Sequence, residues 1–205
     1  MIKLYGVPGS RACRPLWMLE EVGVPYENIP THFATGETHR PEYLALNPNG
    51  HVPTLVDGDL VLWESMAINL YLAAKYGCGT FWPNELADQA RCIQWSFWLM
   101  TEVETPLVTA LLHRAFYPEP QRNARLADES EVALAKPFKV LDTHLSDRRF
   151  IVGNGVSVAD INAASVIFWT RLARVEIKPF PNLGRWLTSC LERPAAVRLL
   201  AKLRG

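Results

Sequence analysis

The stretch that decides the fold is NGHVPTLVDGDLVLWES, residues 49–65. Two apolar runs flank a DGD turn, which is the pattern of a β-hairpin. Pro53 opens the first run although proline cannot donate a ladder hydrogen bond, so it belongs at a strand start or at an edge. The second run ends at Glu64 and Ser65, where a helical pattern begins. The stretch therefore predicts a hairpin that ends in an acid and a hydroxyl beside a helix N-terminus.

The residues around this hairpin predict an α/β domain. IKLYGV indicates a first strand, RACRPLWMLEEVG a helix that stops at Gly23, and PYENIPTHF a second strand. Residues 37–46 indicate a short irregular helical turn, and SMAINLYLAAKYG predicts a helix after the hairpin. The order β-α-β-turn-β-β-α predicts a right-handed parallel βαβ unit followed by an antiparallel pair.

The second half of the chain has a different pattern. After GCGTFWPNE the apolar residues follow helical spacing with no strand-like alternation, and prolines separate the segments. We therefore expect a first domain over residues 1–77, a linker over 78–85 and an all-helical domain over 86–205. The predicted helical segments are 86–116, 128–146, 157–173, 182–192 and 194–203.

Composition excludes several classes of protein. The 205 residues carry 21 basic and 21 acidic side chains, so the basic excess of a nucleic-acid binder is missing. No window is long and apolar enough for a membrane span, and the strand-like MIKLYG start predicts no signal peptide. The cysteines have no metal-like spacing, the histidines form no ligand pattern, and we expect no metal. Scattered thiols favour a cytoplasmic location. The cysteines are Cys13, Cys78, Cys92 and Cys190.

Ser10 is a candidate site residue at the first strand-to-helix junction. Pro15 fits only within the first turn of a helix, so the helix is expected to start near Ala12. Ser10 then lies at the carboxyl end of the first strand, the edge where α/β sheets bind ligands. Its hydroxyl could be a helix cap or a hydrogen-bond donor to a bound thiolate. A nucleophilic role lacks support because no GxSxG pattern and no base accompany it.

The hairpin carries the other candidates. Residue types alone favour a trans Val52–Pro53 bond. A cis bond would turn the N–H and C=O of Val52 outward to pair with an extended peptide-like ligand. Glu64 could bind an ammonium, and the helix N–H groups with the Ser65 hydroxyl could bind a carboxylate. The alternatives are a solvated acid and an ordinary N-cap.

Three motifs together resemble the cytosolic glutathione S-transferase family. PGSRACR is similar to the serine-type active-site loop of theta, delta, phi and many bacterial members. NPNGHVPTLVDGDLVLWES is similar to the glutathione-binding segment with its cis-proline. GNGVSVADI matches a helix-capping motif, with Ser157 as N-cap and Asp160 at N3. The resemblance implies a thioredoxin-like α/β N-terminal domain, an all-α C-terminal helical domain, glutathione as co-substrate and a homodimer.

The resemblance also implies roles for the site residues. Ser10 would donate a hydrogen bond to the glutathione sulfur, and Val52, preceding Pro53, would pair with the cysteinyl backbone. Glu64 would bind the γ-glutamyl ammonium, and Ser65 would bind its carboxylate.

Two further sub-sites follow from the resemblance. His39 and His51 would lie at the glycine end of glutathione. The chain departs from the family there, since relatives often carry histidine at Thr38 and glutamine or lysine at His51. A histidine binds a carboxylate better below about pH 6.5, where it is charged. The aromatic-rich second half would supply the pocket for a hydrophobic electrophile, with Phe116 as the candidate.

The required chemistry is modest in energy. A thiol with a pKa near 8.5 is only about 3% ionised at pH 7, and lowering that pKa by two units corresponds to roughly 2.7 kcal/mol. A hydroxyl hydrogen bond to a charged acceptor contributes about 1.5–3 kcal/mol. A helix N-terminus adds some tenths of a kcal/mol, up to about 1 kcal/mol. Ser10 and the first helix are therefore sufficient, without a general base.

Glutathione transfer to an electrophile is the predicted function, and three alternatives stay open. A glutathione-dependent isomerase, peroxidase or dehalogenase would use the same thiolate. A non-catalytic binding module would keep the fold. Cys13, in the first helical turn, could exchange disulfides, although the CxxC of redox relatives is missing and a buried inert thiol is the default.

Overall fold

The computed structural model of the protein describes residues 1–203. Contacts divide the chain into two compact units. The first joins Met1–Trp82 to the residues from Arg193 onward, and the second spans Pro83–Glu192. The sequence places residues 194–203 in the helical domain, whereas the contacts group them with the first unit. The domain boundaries at 77 and 86 stay a prediction.

A four-stranded sheet forms the centre of the first unit, in the order β2-β1-β3-β4. β1 runs parallel to β2, and β3 pairs antiparallel with both β1 and β4. The predicted parallel unit and the predicted hairpin are both confirmed. The strands are β1 (Ile2–Tyr5), β2 (Tyr26–Ile29), β3 (Thr54–Asp57) and β4 (Leu60–Trp63).

Three helices accompany the sheet: α1 (Cys13–Val22), α2 (Pro41–Leu44) and α3 (Ser65–Tyr76). A 3₁₀ turn, Glu37–His39, precedes α2, which confirms the predicted irregular turn. α1 ends at Gly23, whose φ of 69° is the left-handed conformation that commonly terminates helices. The leucines and the tryptophan of α1 are buried and pack this helix against α3.

The second unit is helical, as predicted, and its first long segment is interrupted twice. Between residues 86 and 116 the helix passes through two π-helical stretches, Leu99–Glu104 and Leu112–Phe116, a geometry that often marks functional sites. No helix within residues 1–203 is long and apolar enough to cross a bilayer. The helices are α4 (Leu86–Trp98), α5 (Thr105–Leu111), α6 (Ala124–His144), α7 (Val158–Ile167), α8 (Thr170–Ala173) and α9 (Pro181–Leu191).

The predicted capping box at the start of α7 is confirmed. Asp160 Oδ2 accepts hydrogen bonds from the backbone N–H and the hydroxyl of Ser157, each at 2.9 Å. Asp160 Oδ1 accepts the N–H of Ile151 and the indole N–H of Trp186, also at 2.9 Å. Burial raises the pKa of Asp160. This one carboxylate therefore ties α7 to α9 and to the preceding loop, in the core of the second unit.

The last helix, α10 (Pro194–Lys202), is bound to α1 by ion pairs. Arg193 donates from Nε and Nη2 to the two carboxylate oxygens of Glu21, both at 2.7 Å. Glu20 accepts from Arg198 at 2.7 Å and from Lys202 at 2.8 Å. A bidentate arginine–carboxylate pair fixes geometry as well as charge, which explains why this helix belongs to the first unit.

Candidate active site

The strand register brings the candidate loops of the first unit to one edge of the sheet. Tyr5, at the end of β1, pairs with Thr54, at the start of β3. Thr54 in turn pairs with Trp63, at the end of β4. The loop after β1, the segment before β3 and the junction after β4 therefore start from the same edge. These three pieces of chain carry Ser10, Val52–Pro53 and Glu64–Ser65 respectively.

A glycine allows the first two loops to approach each other closely. Gly6 follows β1 with φ of 137°, in the range that favours glycine. A Cβ at this position would lie 2.5 Å from the Cβ of Ala12 and 3.3 Å from the Cβ of Val52. Gly6 thus lies between the start of α1 and the segment before β3, and any side chain there would push them apart.

Ser10 is buried beside the start of α1, with 5% of its surface exposed. Its hydroxyl donates to the Val7 carbonyl at 2.7 Å and accepts the backbone N–H of Ala12 at 3.1 Å. Ala12 is the N-cap of α1, so the predicted helix start is confirmed. The Ser10 hydroxyl supports the turn that leads into the helix. To donate to a ligand, its hydrogen must leave the Val7 carbonyl.

Cys13 is the first residue of α1 and is fully buried. Its thiol cannot meet an external disulfide unless the first turn of the helix opens. This burial favours the interpretation of Cys13 as a packing residue over the alternative of a redox nucleophile.

Val52 presents its backbone at the entry to β3. The Val52–Pro53 peptide bond is cis. Within residues 1–203 neither the N–H nor the C=O of Val52 has a hydrogen-bond partner, and the side chain is 9% exposed. Because backbone polar groups normally find partners, this pair of groups is suited to an extended ligand.

Glu64 has an unusual backbone conformation where β4 turns into α3. Its φ is 74° and its ψ is 110°, rare for a residue with a side chain. Glu64 occupies the N-cap position and Ser65 is the first helical residue, so the alternative of Ser65 as an ordinary N-cap is wrong. The chain turns one residue earlier because of the positive φ. The exposed carboxylate and the first N–H groups of α3 consequently lie side by side.

Arg14 is a neighbour of this site that sequence reasoning missed. Its side chain is 1% exposed, and Nη1 donates to the Ser65 hydroxyl at 3.1 Å. A buried guanidinium next to a helix N-terminus adds positive potential where the resemblance implies a carboxylate. The signal was a basic residue in the first turn of the helix, directly before the apolar run that starts at Pro15.

The two predicted histidines have different surroundings. His39 is exposed, and its Nδ1 lies 3.1 Å from the hydroxyl of Thr38. Thr38 is fully buried. His51 exposes its side chain, while its backbone carbonyl accepts hydrogen bonds from Tyr43 and Asn47.

Phe116 is the last residue of the second π-helical stretch and is 55% exposed. It lies in the second unit, and its proposed role toward an electrophile stays a prediction. No group of three or more His, Cys, Asp or Glu side chains within residues 1–203 could hold a metal ion.

The fold and this edge of the sheet define a class: a thioredoxin-like unit with a helical second unit. Sequence profiles described as "Glutathione S-transferase, N-terminal domain" and "Glutathione S-transferase, C-terminal domain" match residues 1–74 and 104–194. The chain therefore belongs to the glutathione S-transferase family.

Individual relatives span nearly the whole chain. Glutathione S-transferase GstB of Escherichia coli (strain K12) is 34% identical over 203 residues, covering 98% of each chain. Glutathione S-transferase 3 of Zea mays is 33% identical over 213 residues, covering 98% of this chain and 94% of its own. A theta class glutathione S-transferase from Xanthomonas axonopodis pv. citri, solved with glutathione bound, is 32% identical with a TM-score of 0.90. That alignment covers 96% of this chain and 95% of that one.

Proposed function

We propose that the protein is a glutathione transferase that stabilises the thiolate of bound glutathione, whose proton passes to water, and directs it at a hydrophobic electrophile. The register that aligns Tyr5, Thr54 and Trp63 carries this proposal. It brings a hydroxyl donor, an unpaired stretch of backbone and an acid beside a helix N-terminus to one edge. A γ-linked tripeptide needs groups of these kinds for its sulfur, its peptide backbone and its amino-acid end.

The roles of the residues follow from their chemistry. The N–H and C=O of Val52, beside Pro53, pair with the cysteinyl residue of glutathione. Glu64 binds the γ-glutamyl ammonium. Ser65 and the first N–H groups of α3 bind the γ-glutamyl carboxylate, and Arg14 supports them from beneath.

The glycine end of glutathione meets a weaker site. His39 and His51 are exposed side chains near that end, and each can donate one hydrogen bond to the glycine carboxylate. A lysine at either position would add a positive charge and would bind that carboxylate more tightly.

Thiolate stabilisation by Ser10 competes with its existing hydrogen bond. Leaving the Val7 carbonyl costs about 1 kcal/mol, while donation to a thiolate contributes about 1.5–3 kcal/mol. The N-terminus of α1 adds about 0.3–1 kcal/mol. The balance of about 1–3 kcal/mol corresponds to a pKa decrease of about one to two units. Ser10 and α1 together then keep an appreciable fraction of the thiol ionised at neutral pH.

Calorimetry with glutathione, followed by turnover with aryl halides, epoxides and hydroperoxides, tests the proposal. We expect binding at or below millimolar concentration and conjugation of at least one electrophile. Binding with reduction of hydroperoxides alone would favour the peroxidase alternative. Failure to bind glutathione would leave only the non-catalytic module.

A second copy of the chain is the proposed partner, and the cytoplasm is the proposed location. Two exposed apolar surfaces support dimer formation. Leu86, Ile93 and Phe97 share one face of α4 and are 78%, 37% and 66% exposed. β4 exposes Val61 and Trp63 in the first unit. Sedimentation of the wild type against Phe97→Glu tests this, with a loss of dimer expected in the variant.

A further inference from the structure

Three buried polar side chains lie beneath the segment that presents Val52. Tyr43 is in α2, Asn47 follows that helix, and Thr54 is the first residue of β3. They are 6%, 2% and 0% exposed. Buried polar groups are costly unless they are fully hydrogen-bonded, so their partners show what this cluster does.

The hydrogen bonds form a closed network with one consistent set of donors. The Tyr43 hydroxyl donates to the His51 carbonyl at 2.6 Å, because a carbonyl can only accept. The Tyr43 hydroxyl has then used its only hydrogen, so the Thr54 hydroxyl, 2.9 Å from the Tyr43 hydroxyl oxygen, donates to it. Asn47 Nδ2 uses its two hydrogens on the His51 carbonyl at 2.8 Å and on the Thr54 hydroxyl at 3.2 Å.

Each donor hydrogen in this network is used once, and the orientation of the Asn47 amide is thereby fixed. Its Oδ1 accepts the backbone N–H and the side-chain amide of Asn49, each at 3.1 Å. A reversed amide would place acceptor against acceptor at the His51 carbonyl. Burial raises the pKa of Tyr43, so its hydroxyl keeps its hydrogen at neutral pH. Satisfied buried networks of this kind specify one geometry.

The network holds the chain on both sides of Val52. One anchor is the carbonyl of His51, whose carbon is bonded to the Val52 nitrogen. The other is the Thr54 side chain, directly after Pro53. Because the peptide plane is rigid, fixing the His51 carbonyl also fixes the direction of the Val52 N–H.

We infer that Tyr43, Asn47 and Thr54 are positioning residues that orient the backbone of Val52 for the cysteinyl residue of glutathione. The inference rests on the proposed role of Val52 as the pairing partner of that residue. None of the three side chains touches the reacting sulfur in this assignment. Their effect is on glutathione affinity, and the chemical step is left nearly unchanged.

Tyr43→Phe tests the inference, because it removes one hydroxyl and keeps the ring. Tyr71→Phe is the matched control. Its hydroxyl donates to Asp57 at 2.7 Å, at the opposite end of β3 and in the same unit. We expect KM for glutathione to rise about threefold to tenfold in Tyr43→Phe, the equivalent of about one hydrogen bond. We expect kcat at saturating glutathione to stay within about twofold, and Tyr71→Phe to match the wild type.

A glutathione analogue methylated on the cysteinyl amide nitrogen separates positioning from general stability. The wild type should bind it more weakly than glutathione, because the methyl group removes the ligand N–H that pairs with the C=O of Val52. In Tyr43→Phe this preference should shrink, since the two changes affect one interaction. A purely structural effect would weaken both ligands equally and would overturn the inference.

Other outcomes are equally decisive. If the wild type binds the methylated analogue as tightly as glutathione, the pairing role of Val52 fails and the inference fails with it. If the wild type discriminates but Tyr43→Phe binds glutathione normally, Val52 keeps its role and only the positioning residues are wrong. Should Tyr43→Phe not fold, Thr54→Val against Thr54→Ser gives the same readout. Serine should restore affinity and valine should not.

Discussion

Arg14 donates a hydrogen bond from Nη1 to the hydroxyl of Ser65 at 3.1 Å, across a sequence separation of 51 residues. The bond joins the first turn of α1 to the first turn of α3. These are the helix starts assigned to the glutathione sulfur and to the γ-glutamyl carboxylate. A buried cation therefore lies at the two helix starts that the proposal assigns to the thiolate and to the γ-glutamyl carboxylate, within a single unit.

Ser65→Ala removes the acceptor of this bond. We expect the free energy of unfolding to fall by about 1–3 kcal/mol, since a buried charged donor loses a partner, and glutathione affinity to fall at least tenfold. Urea denaturation and calorimetry measure the two effects. Ser189→Ala is the control, because that hydroxyl donates to the Trp186 carbonyl at 2.8 Å in the other unit. Unchanged glutathione affinity in Ser65→Ala would contradict the assignment.

Ser10→Ala should lower turnover at least tenfold at neutral pH. Without the hydroxyl the thiol pKa rises, so the loss should be greatest near pH 7 and should diminish above the free-thiol pKa of about 8.5. The measurement is kcat/KM across pH. Ser130→Ala is the control, since its hydroxyl donates to the Leu126 carbonyl at 2.7 Å, as Ser10 does to Val7. A pH-independent loss would instead indicate damage to the loop.

Glu64→Gly should separate stability from binding. A non-glycine residue at positive φ carries about 1–3 kcal/mol of strain, which glycine relieves. Glycine also lowers stability by about 0.5–1 kcal/mol, because it loses more chain entropy on folding. We expect an equal or higher melting temperature and at least a tenfold loss of glutathione affinity. Arg174→Gly is the matched control, because Arg174 also has a positive φ, 52°, and lies in the second unit. That variant should keep its affinity, and a Glu64→Gly protein that binds normally would exclude Glu64 from the site.

Acid should weaken the attachment of α10 through Glu20. Burial alone raises the pKa of Glu20, but hydrogen bonds from Lys202 and Arg198 outweigh it and lower the pKa to about 2. A carboxyl whose folded pKa lies below its unfolded value of 4.5 stabilises the fold above that value. That stabilisation is lost as the pH falls from about 4.5 toward 2.

The partners of Glu20 are about half exposed, so we expect a contribution of about 1 kcal/mol after screening. Urea midpoints of the wild type and Glu20→Gln should differ at pH 6 and converge as the pH approaches 2. A difference between the two urea midpoints that stays constant from pH 6 to pH 2 would show that the charge of Glu20 does not stabilise the attachment of α10.

Local patterns predicted much of the fold. The DGD turn between two apolar runs determined the β3–β4 hairpin, and Ser157 with Asp160 determined the start of α7, because both signals lie within a few neighbouring residues. The position of α10 was not predictable in this way. Its apolar spacing suits any helical surface, and the ion pairs of Arg193, Arg198 and Lys202 with α1 distinguish the first unit.

The candidate site was predictable to a similar degree. Ser10, Val52 and Glu64 lie at strand ends, where ligand sites are expected. Arg14 and the network of Tyr43, Asn47 and Thr54 escaped prediction. The role of Arg14 depends on a contact with Ser65, 51 residues away, and a polar residue in a helical pattern usually indicates a solvent-facing position. The contacts of the network are local, but they lie in the irregular chain between α2 and β3, where no regular spacing indicates which side chains are buried. Ser65 looked like an N-cap because the positive φ of Glu64 leaves no sequence signal.

The pKa of glutathione bound to the protein is the most direct test of the central claim. Thiolate ultraviolet absorbance, followed against pH with saturating glutathione, measures it. We predict an apparent pKa about one to two units below the free value of about 8.5, and a return toward that value in Ser10→Ala. A bound thiol that titrates at the free value in the wild-type protein would contradict the account.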